Sequence, residues 1–249
     1  MSLSKKNISP FIFITARLNS KRLRQKALIK LGSFPLIQHL IKRLKKAFPS
    51  KNIVIITSKY KEDLKLKKIS MEEKIGFFQG HATDVLKRMS DAAEKHKVEN
   101  FINCTADNPF VDPYYAIKVY NYHLAKKLDF STTNKLPLGI YSFVVNSKAL
   151  KDVIKSKKSR DTEIWRSYFI KQKKFRCGFY NKIPKKHNIK NLRLTIDEIE
   201  DFLLAKVILT LSGKEIPSLD EILRVVKKYT YLKIVNSKII QKDINTYNK

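Results

Sequence analysis

The chain is short of the residues that punctuate and staple proteins. Of its 249 residues, six are glycine, eight proline and two cysteine. Cys104 and Cys177 lie far apart without CxxC spacing, which excludes a disulfide framework or a cysteine zinc site and reads as two reduced thiols. Glycine and proline are scattered, no internal repeat is present, and no low-complexity linker divides the chain, so residues 1–249 are expected to form one domain. No apolar stretch approaches the roughly 20 residues of a membrane span. The N-terminus, MSLSKKNISP, lacks the apolar stretch of a signal peptide, so no membrane partner and a cytoplasmic location are expected. Acidic residues are scarce as well: 22 Asp plus Glu stand against 52 Lys plus Arg, a net charge of +30. Such a balance raises the suspicion of nucleic-acid binding. However, the lysines are spread over nearly every predicted helix rather than gathered in a stripe or tail. The richness in Ile, Asn and Lys together is the bias of an AT-rich coding sequence, and no RNP, KH, zinc-finger or helix-turn-helix signature occurs. Nucleic acid is therefore not expected as the primary partner.

What is present is an alternation of short apolar runs with helical patterns. Strands are predicted at Phe11–Ile14, Ile53–Thr57, Lys74–Gln79, Phe101–Thr105 and Phe130–Thr133, with helices between them beginning near Leu36, Ser58, Val85 and Pro113. Beyond Asn134 the pattern loosens. Strands are expected over Ile140–Val145 and Phe175–Tyr180, and helices over Ser147–Ser156 and Asp161–Lys173. Leu192–Asp197 is expected as a last core strand, followed by helices over Ile199–Leu211 and Leu219–Lys228. Strand and helix alternating at this spacing imply an α/β fold, a doubly wound and mainly parallel sheet with helices on both faces. The stretch 134–190 is expected as an irregular subregion of the same domain.

The stretch Phe11 to Lys30, FIFITARLNSKRLRQKALIK, organises the rest. A buried strand runs into a long polar and basic loop with Arg17, Asn19, Ser20, Lys21, Arg22, Arg24 and Lys26. It contains neither GxxxxGK[ST] nor GxGxxG. Arg offers forked donors, Lys a compact charge, and Asn19, Ser20 and backbone N–H groups neutral donors, a set suited to a polyphosphate. A solvated cationic loop in a Lys-rich protein is the bland alternative. The second informative stretch is Thr105-Ala106-Asp107-Asn108-Pro109-Phe110-Val111-Asp112-Pro113, where Asp107 sits on a turn just past a strand. A carboxylate there suits Mg²⁺, a hard ion that takes one or two carboxylates beside waters and phosphate oxygens. An Asx-turn is the alternative for Asp107, and Asp112, before a proline and a helix, reads as an N-cap. The third stretch, Leu192-Arg193-Leu194-Thr195-Ile196-Asp197, places Asp197 where it could also cap a helix. The fourth, Gly80-His81-Ala82-Thr83-Asp84-Val85-Leu86-Lys87-Arg88, offers Asp84 as a cap or a ligand group. His81, His96, His123 and His187 fit no ligand spacing.

These stretches together resemble the sugar-activating cytidylyltransferases: the acylneuraminate and KDO enzymes and especially the SpsF-like branch. The family signature A-R-x-x-S-[TK]-R-L-P-G-K-x-L is matched at Arg17, Ser20, Arg22, Leu23 and Lys26, with Arg24-Gln25 replacing Pro-Gly. T-G-D-x-P-[LF]-[IV]-D-P is matched from Thr105, with Ala106 in place of Gly. R-[LW]-T-[IV]-D-x-x-E-D-L is matched from Arg193, and G-x-x-x-D-V-L-x-R from Gly80. The resemblance implies a Rossmann-like, GT-A-like nucleotidyltransferase and a Mg²⁺ cofactor held by Asp107 and Asp197. It implies CTP bound through Ala16, Arg17, Asn19, Ser20, Arg22, Lys26 and Ala106, with Asp84 near the base. Arg17, Lys26 and Asp107 are the implied catalytic residues, and a sugar of the nonulosonic or ulosonic acid type, or a related one, is the acceptor. A homodimer is expected, with residues 134–190 as the acceptor-site and dimerisation subregion. The branch's G-x-[DE]-x-E-V and R-E-H stretches are replaced by sequence around Tyr141, Ser142 and Glu163, which are taken as acceptor-binding positions of altered character. The alternatives are a same-fold enzyme that uses GTP or another NTP with a sugar phosphate, and a non-enzymatic polyanion or nucleic-acid binder.

Overall fold

Four apolar residues in a row, Phe11 to Ile14, require burial on both faces, and they occupy the centre of a sheet. A computed structural model of the chain describes residues 9–19, 22–157, 162 and 164–240. Strand β1 (Phe11–Thr15) is followed by a short hairpin of β2 (Lys30–Leu31) and β3 (Phe34–Pro35), then by helix α1 (Leu36–Leu44). Next come β4 (Ile53–Ser58), α2 (Lys65–Glu72), β5 (Gly76–Gly80), α3 (Val85–Lys95), β6 (Asn100–Thr105) and α4 (Pro113–Ala125). Then follow β7 (Phe130–Thr132), β8 (Phe143–Asn146), α5 (Ser147–Ser156) and the single turn α6 (Ser167–Ile170). The chain continues through β9 (Cys177–Phe179), α7 (Ile199–Ser212) and α8 (Leu219–Lys228).

The main sheet among the described residues runs β5-β4-β1-β6-β8-β7-β9. β1 pairs in parallel with β4 and β6, so Ile12 lies beside Ile53 on one side and Ile102 on the other. β4–β5 and β7–β9 are also parallel, whereas β8 runs antiparallel to both β6 and β7. Alternate residues feed opposite faces. Ile12, Ile14, Ile53 and Ile55 pack under α1, α2 and α4, while Phe13, Val54, Ile56 and Phe101 pack under α3 and α5. This is the mainly parallel, doubly wound α/β sheet expected from the sequence. Asp84 and Asp112 cap α3 and α4, accepting from the N–H groups of Lys87 and Tyr115.

A third core lies beyond the sheet. α7 and α8 contribute Leu204, Ile208, Leu209, Ile222 and Val226, which pack with Phe110, Ile140, Leu192, Leu194 and Ile196. Here two expectations are corrected. Leu192–Asp197 is extended and wholly buried but joins no ladder. It makes one isolated parallel bridge, Arg193 to Leu138, and otherwise bonds to loops: Leu194 N–H to Leu138 O at 2.7 Å and Ile196 N–H to Asp107 O at 2.8 Å. Its apolar alternation is satisfied by the third core on one side and the site on the other, so the pattern of a strand appears without sheet neighbours. Likewise Asp161–Lys173 is not one helix. Its described residues hold the single turn α6, and Asp161 and Glu163 lie outside the described residues. Among the described residues no helix is long and apolar enough to cross a membrane.

Candidate active site

The carboxyl ends of β1 and β6 lie side by side, so the loops that leave them must meet. Past β1 the chain is pinned at once. Ala16 N–H bonds to Ile56 O at 3.2 Å, and Leu18 N–H donates to Asp63 Oδ1 at 2.7 Å. Asp63 is buried, and its other oxygen takes the Thr57 hydroxyl and both the N–H and hydroxyl of Ser58. Leu18 and Ala27 are buried as apolar pegs at the two ends of the basic loop. Gln25 then turns the chain with φ of +52°, in the left-handed region that glycine favours. Gln25 thus supplies the bend at the position where the family pattern has Gly, and Lys26 begins a 3₁₀ turn over Lys26–Leu28.

Lys26 is directed into the site. Its Nζ lies 3.1 Å from Asp107 Oδ2 and 2.8 Å from Asp197 Oδ1, so two carboxylates 90 residues apart in sequence converge on one ammonium. Arg22 joins them, with Nη2 3.0 Å from Asp197 Oδ1 and Nη1 3.2 Å from Glu198 Oε1. Asp107 also accepts from the Thr105 hydroxyl, which in turn accepts from Asn108 Nδ2 at 2.7 Å. Among the described residues the Asp107 carboxylate takes no backbone N–H, so an Asx-turn does not describe it. Nor does Asp197 cap α7: the cap is Glu198, and Asp201 Oδ2 accepts the N–H groups of Asp197 and Glu198 at 2.9 and 3.1 Å.

Behind the site a buried chain of charges orients Asp197. Arg193 Nη2 donates to Asp197 Oδ2 at 2.9 Å, while Arg193 Nε donates to Asp201 Oδ1 at 2.8 Å. Asn236 Nδ2 donates to the same Asp201 oxygen at 2.7 Å. With Oδ2 held from behind, Asp197 presents Oδ1 to the cleft. Burial works against each charge here but is outweighed. Asp107 and Asp197 raise the pKa of Lys26 above its usual value. Lys26, then Arg22 and Arg193, hold Asp197 below the usual aspartate range. Gly139, with φ of +98°, lets the 138–140 loop lie against this segment. A Cβ there would meet Thr195 N at 2.4 Å.

These groups border a cleft of about 460 Å³, in the size range of small-ligand sites. Its wall contains Ala16, Arg17, Asn19, Arg22, Lys26, Ala106, Asp107 and Asp197, all singled out from the sequence. Four cations, Arg17, Arg22, Lys26 and Arg88, stand against the two carboxylates in that wall. Three sequence candidates lie elsewhere. Asp84 caps α3 and pairs with Lys157, Ser142 is buried at 1% exposure, and Tyr141 packs edge-on against Phe143. Ser20 and Glu163 lie outside the described residues. Sequence reasoning passed over Arg88, Val85 and Trp165 in the wall, and Arg193 and Asp201 behind it. Arg88 and Arg193 were visible as members of the quoted motifs, and Trp165 as the chain's single tryptophan. No pattern in the sequence marks Asp63 or Asn236.

A doubly wound sheet with a cationic loop after β1 and a carboxylate after β6, opposed by a second carboxylate, defines a nucleotidyltransferase. The model of the family described as cytidylyltransferase matches residues 11–233, and the chain belongs to that family. The spore coat polysaccharide biosynthesis protein SpsF of Bacillus subtilis is 31% identical over 207 residues, 81% of this chain and 86% of that protein. An uncharacterised protein of Methanocaldococcus jannaschii is 31% identical over 192 residues, 77% of this chain and 79% of that one. The solved structure of a cytidylyltransferase from Leptospira borgpetersenii superposes with a TM-score of 0.82 at 23% identity, covering 94% of this chain and 99% of the other.

Proposed function

We propose that the protein transfers CMP from CTP to a sugar of the nonulosonic or ulosonic acid type, or a related sugar, in a Mg²⁺-dependent reaction that releases pyrophosphate. The observation that carries this is the convergence of Asp107 and Asp197 on Lys26 at the mouth of the basic loop. A hydroxyl oxygen of the sugar attacks the α-phosphorus and gives up its proton to solvent, the bond to the bridging oxygen of the β-phosphate breaks, and pyrophosphate leaves with the electron pair. Such a reaction depends on positioning and on neutralising charge. Arg17, Arg22 and Lys26 hold the triphosphate and stabilise the departing pyrophosphate, with Asn19 and Ser20 as neutral donors, whereas the N–H groups of Ala16 and Ala106 are engaged by Ile56 O and Thr15 O, so these two alanines only line the cleft.

The donor set fits Mg²⁺. Two carboxylate oxygens already share one cationic group, and Mg²⁺ takes one or two carboxylates with waters and phosphate oxygens completing the shell. Among the described residues no cluster of three or more His, Cys, Asp or Glu offers a fuller protein cage. Asp107 and Asp197 would hold the ion, which supplies charge neutralisation at the phosphate oxygens. A polyanion binder relying on charge alone has no use for two carboxylates in its cationic wall. The sugar product serves a surface polysaccharide or glycan, a reading supported by the printed role of the SpsF relative. The reaction belongs in the cytoplasm, where CTP is made.

A homodimer completes the reading. The outer face of α7 exposes Ile199, Leu203, Val207 and Leu211 at four-residue spacing, 38–52% exposed, in a chain of net charge +30. Like charge keeps copies apart except at such a charge-poor stripe. An antiparallel pairing about Ala205 sets Ile199 of each copy against Leu211 of the other, and Leu203 against Val207, a self-complementary contact. The proposed contact is the α7 face, whereas the sequence expectation put it in residues 134–190. Leu203→Glu should convert a dimer to a monomer in sedimentation; a wild-type monomer contradicts it.

The test of function is pyrophosphate release across the four NTPs with KDO, N-acetylneuraminate and a set of amino sugars. Turnover with CTP and one of these sugars is expected. Preferred turnover of GTP with a sugar phosphate would contradict the reading.

A further inference from the structure

Among the described residues, two of the four cations in the cleft wall, Arg88 and Arg17, have no carboxylate partner. Arg88, on the first turns of α3, is 1% exposed yet borders the cleft. Its Nε and Nη2 donate to His81 O at 3.0 and 2.9 Å, and Nη2 also to Ala82 O at 3.0 Å. Nη1 makes no hydrogen bond among the described residues, and no carboxylate oxygen lies within 4.0 Å of the guanidinium. The arm is seated against Gly80, where a Cβ would come within 3.0 Å of Arg88 Cγ. Arg17, in the same wall, is likewise without an ion pair among the described residues, whereas Arg22 and Lys26 are both paired. Burial, and then the positive charge of Arg17, push the Arg88 pKa down to about 10, so it stays charged at neutral pH beside a second cation. The two described carboxylates whose charge acts on Arg88 are committed elsewhere: Asp63 holds Leu18, Thr57 and Ser58, and Asp84 pairs with Lys157.

A buried charge without a counter-ion is costly, and two like charges sharing a cleft raise the cost. Backbone carbonyls orient the guanidinium but do not neutralise it. The apolar groups Val85 and Trp165 flank it in the same wall and keep the local dielectric low, which strengthens its pull on an anion. Thr162 Oγ1 fixes this corner by accepting Val85 N–H at 2.9 Å.

We propose that Arg88 and Arg17 form an oxyanion subsite at the α3 end of the cleft that receives a phosphate oxygen of the bound nucleotide. This rests on the cytidylyl-transfer reading and adds a substrate-contacting residue to it. A carboxylate on the acceptor sugar carries the same chemistry, and the arms of the test separate the two sources.

The experiment is calorimetry of pyrophosphate and of CTP, each with Mg²⁺, on the full chain and on Arg88→Gln, with Lys227→Gln on the exposed face of α8 as control. Glutamine keeps a donor for the His81 carbonyl but loses the charge. Pyrophosphate and CTP affinities should fall at least about tenfold in Arg88→Gln, Arg88→Lys should recover part of the loss, and the control should not move. If instead those affinities hold while the acceptor KM rises by a similar factor, the oxyanion is the acceptor's carboxylate and the subsite stands with that source. Both affinities and the acceptor KM within about twofold of wild type would overturn it. Should Arg88→Gln not fold, ¹⁵N NMR of the arginine side chains in the wild-type protein decides. The Arg88 signal should shift with pyrophosphate or with the acceptor, and its failure to shift with either overturns the subsite. Failure of the cytidylyl reading would look different: no CTP turnover by the wild type, while the pyrophosphate titration still reports on Arg88.

Discussion

The two halves of the cleft differ in how their side chains are employed. On the basic-loop side, Arg17, Arg22, Lys26, Asp107 and Asp197 come from three distant stretches and meet at the ends of parallel strands. On the other side, residues 134–190 give the cleft wall Trp165; Ser142 is buried, Tyr141 packs edge-on against Phe143, and Trp165 sits edge-on to Phe130, Phe143 and Phe169. The first half spends its polar groups on the cleft, whereas much of the second spends its residues on the core. The difference teaches that a polar residue at a motif position beside a site is not thereby in it; what matters is whether its backbone lies at a strand end or inside a packed layer.

The sharpest break in this comparison comes from the carboxylates. Asp107→Asn and Asp197→Asn should each lower turnover by at least about 10²–10³-fold while leaving the fold intact, measured by pyrophosphate release and circular dichroism. Near-normal turnover in either variant at saturating Mg²⁺ removes that residue from the centre. Next are the loop cations: Arg17→Ala and Lys26→Ala should each lose about 1.5–3 kcal/mol of transition-state stabilisation, read from kcat/KM. Lys227→Ala, a surface control on α8, should change little, and equal losses in control and loop would make the charge generic.

How far the sequence reached follows the same division. The sheet, its helices and the eight cleft residues were legible because hydrophobic periodicity and motif spacing report on strand ends, where the chemistry is. Leu192–Asp197 misled because burial between a third core and the site imitates a sheet strand. Asp63 and Asn236 left no signal, since no motif contains them and only folding brings Leu18, 45 residues away, to Asp63 and Asp201, 35 residues away, to Asn236. Tyr141 and Ser142 were read from pattern loss in the family motif, and pattern cannot tell a cleft wall from a core.

Gly139→Ala joins the two halves. Its positive φ and the 2.4 Å approach to Thr195 N predict a loss of about 1–3 kcal/mol in urea unfolding, with reduced turnover because the Asp197 segment must shift. An unchanged midpoint would mean the loop relaxes freely. The pH dependence is a smaller effect with a definite sign. Because Asp197 is held below its usual pKa, its pairing stabilises the fold above about pH 4 and is lost as pH falls through the lowered value. The wild type should therefore lose more stability than Asp197→Asn on acidification from pH 5, and parallel curves would contradict the pairing. Smallest of all, Ser142→Ala should leave both stability and kinetics near wild type, because its buried hydroxyl has no partner to lose among the described residues. A raised acceptor KM in that variant would restore Ser142 to the site.

The account stands most directly on the binding of Mg²⁺ with CTP at the paired carboxylates. Calorimetry of CTP with and without Mg²⁺, on the wild type and on Asp107→Asn, should show a metal-dependent gain in affinity that disappears in the variant. The same gain in both proteins, or no gain in either, would contradict it.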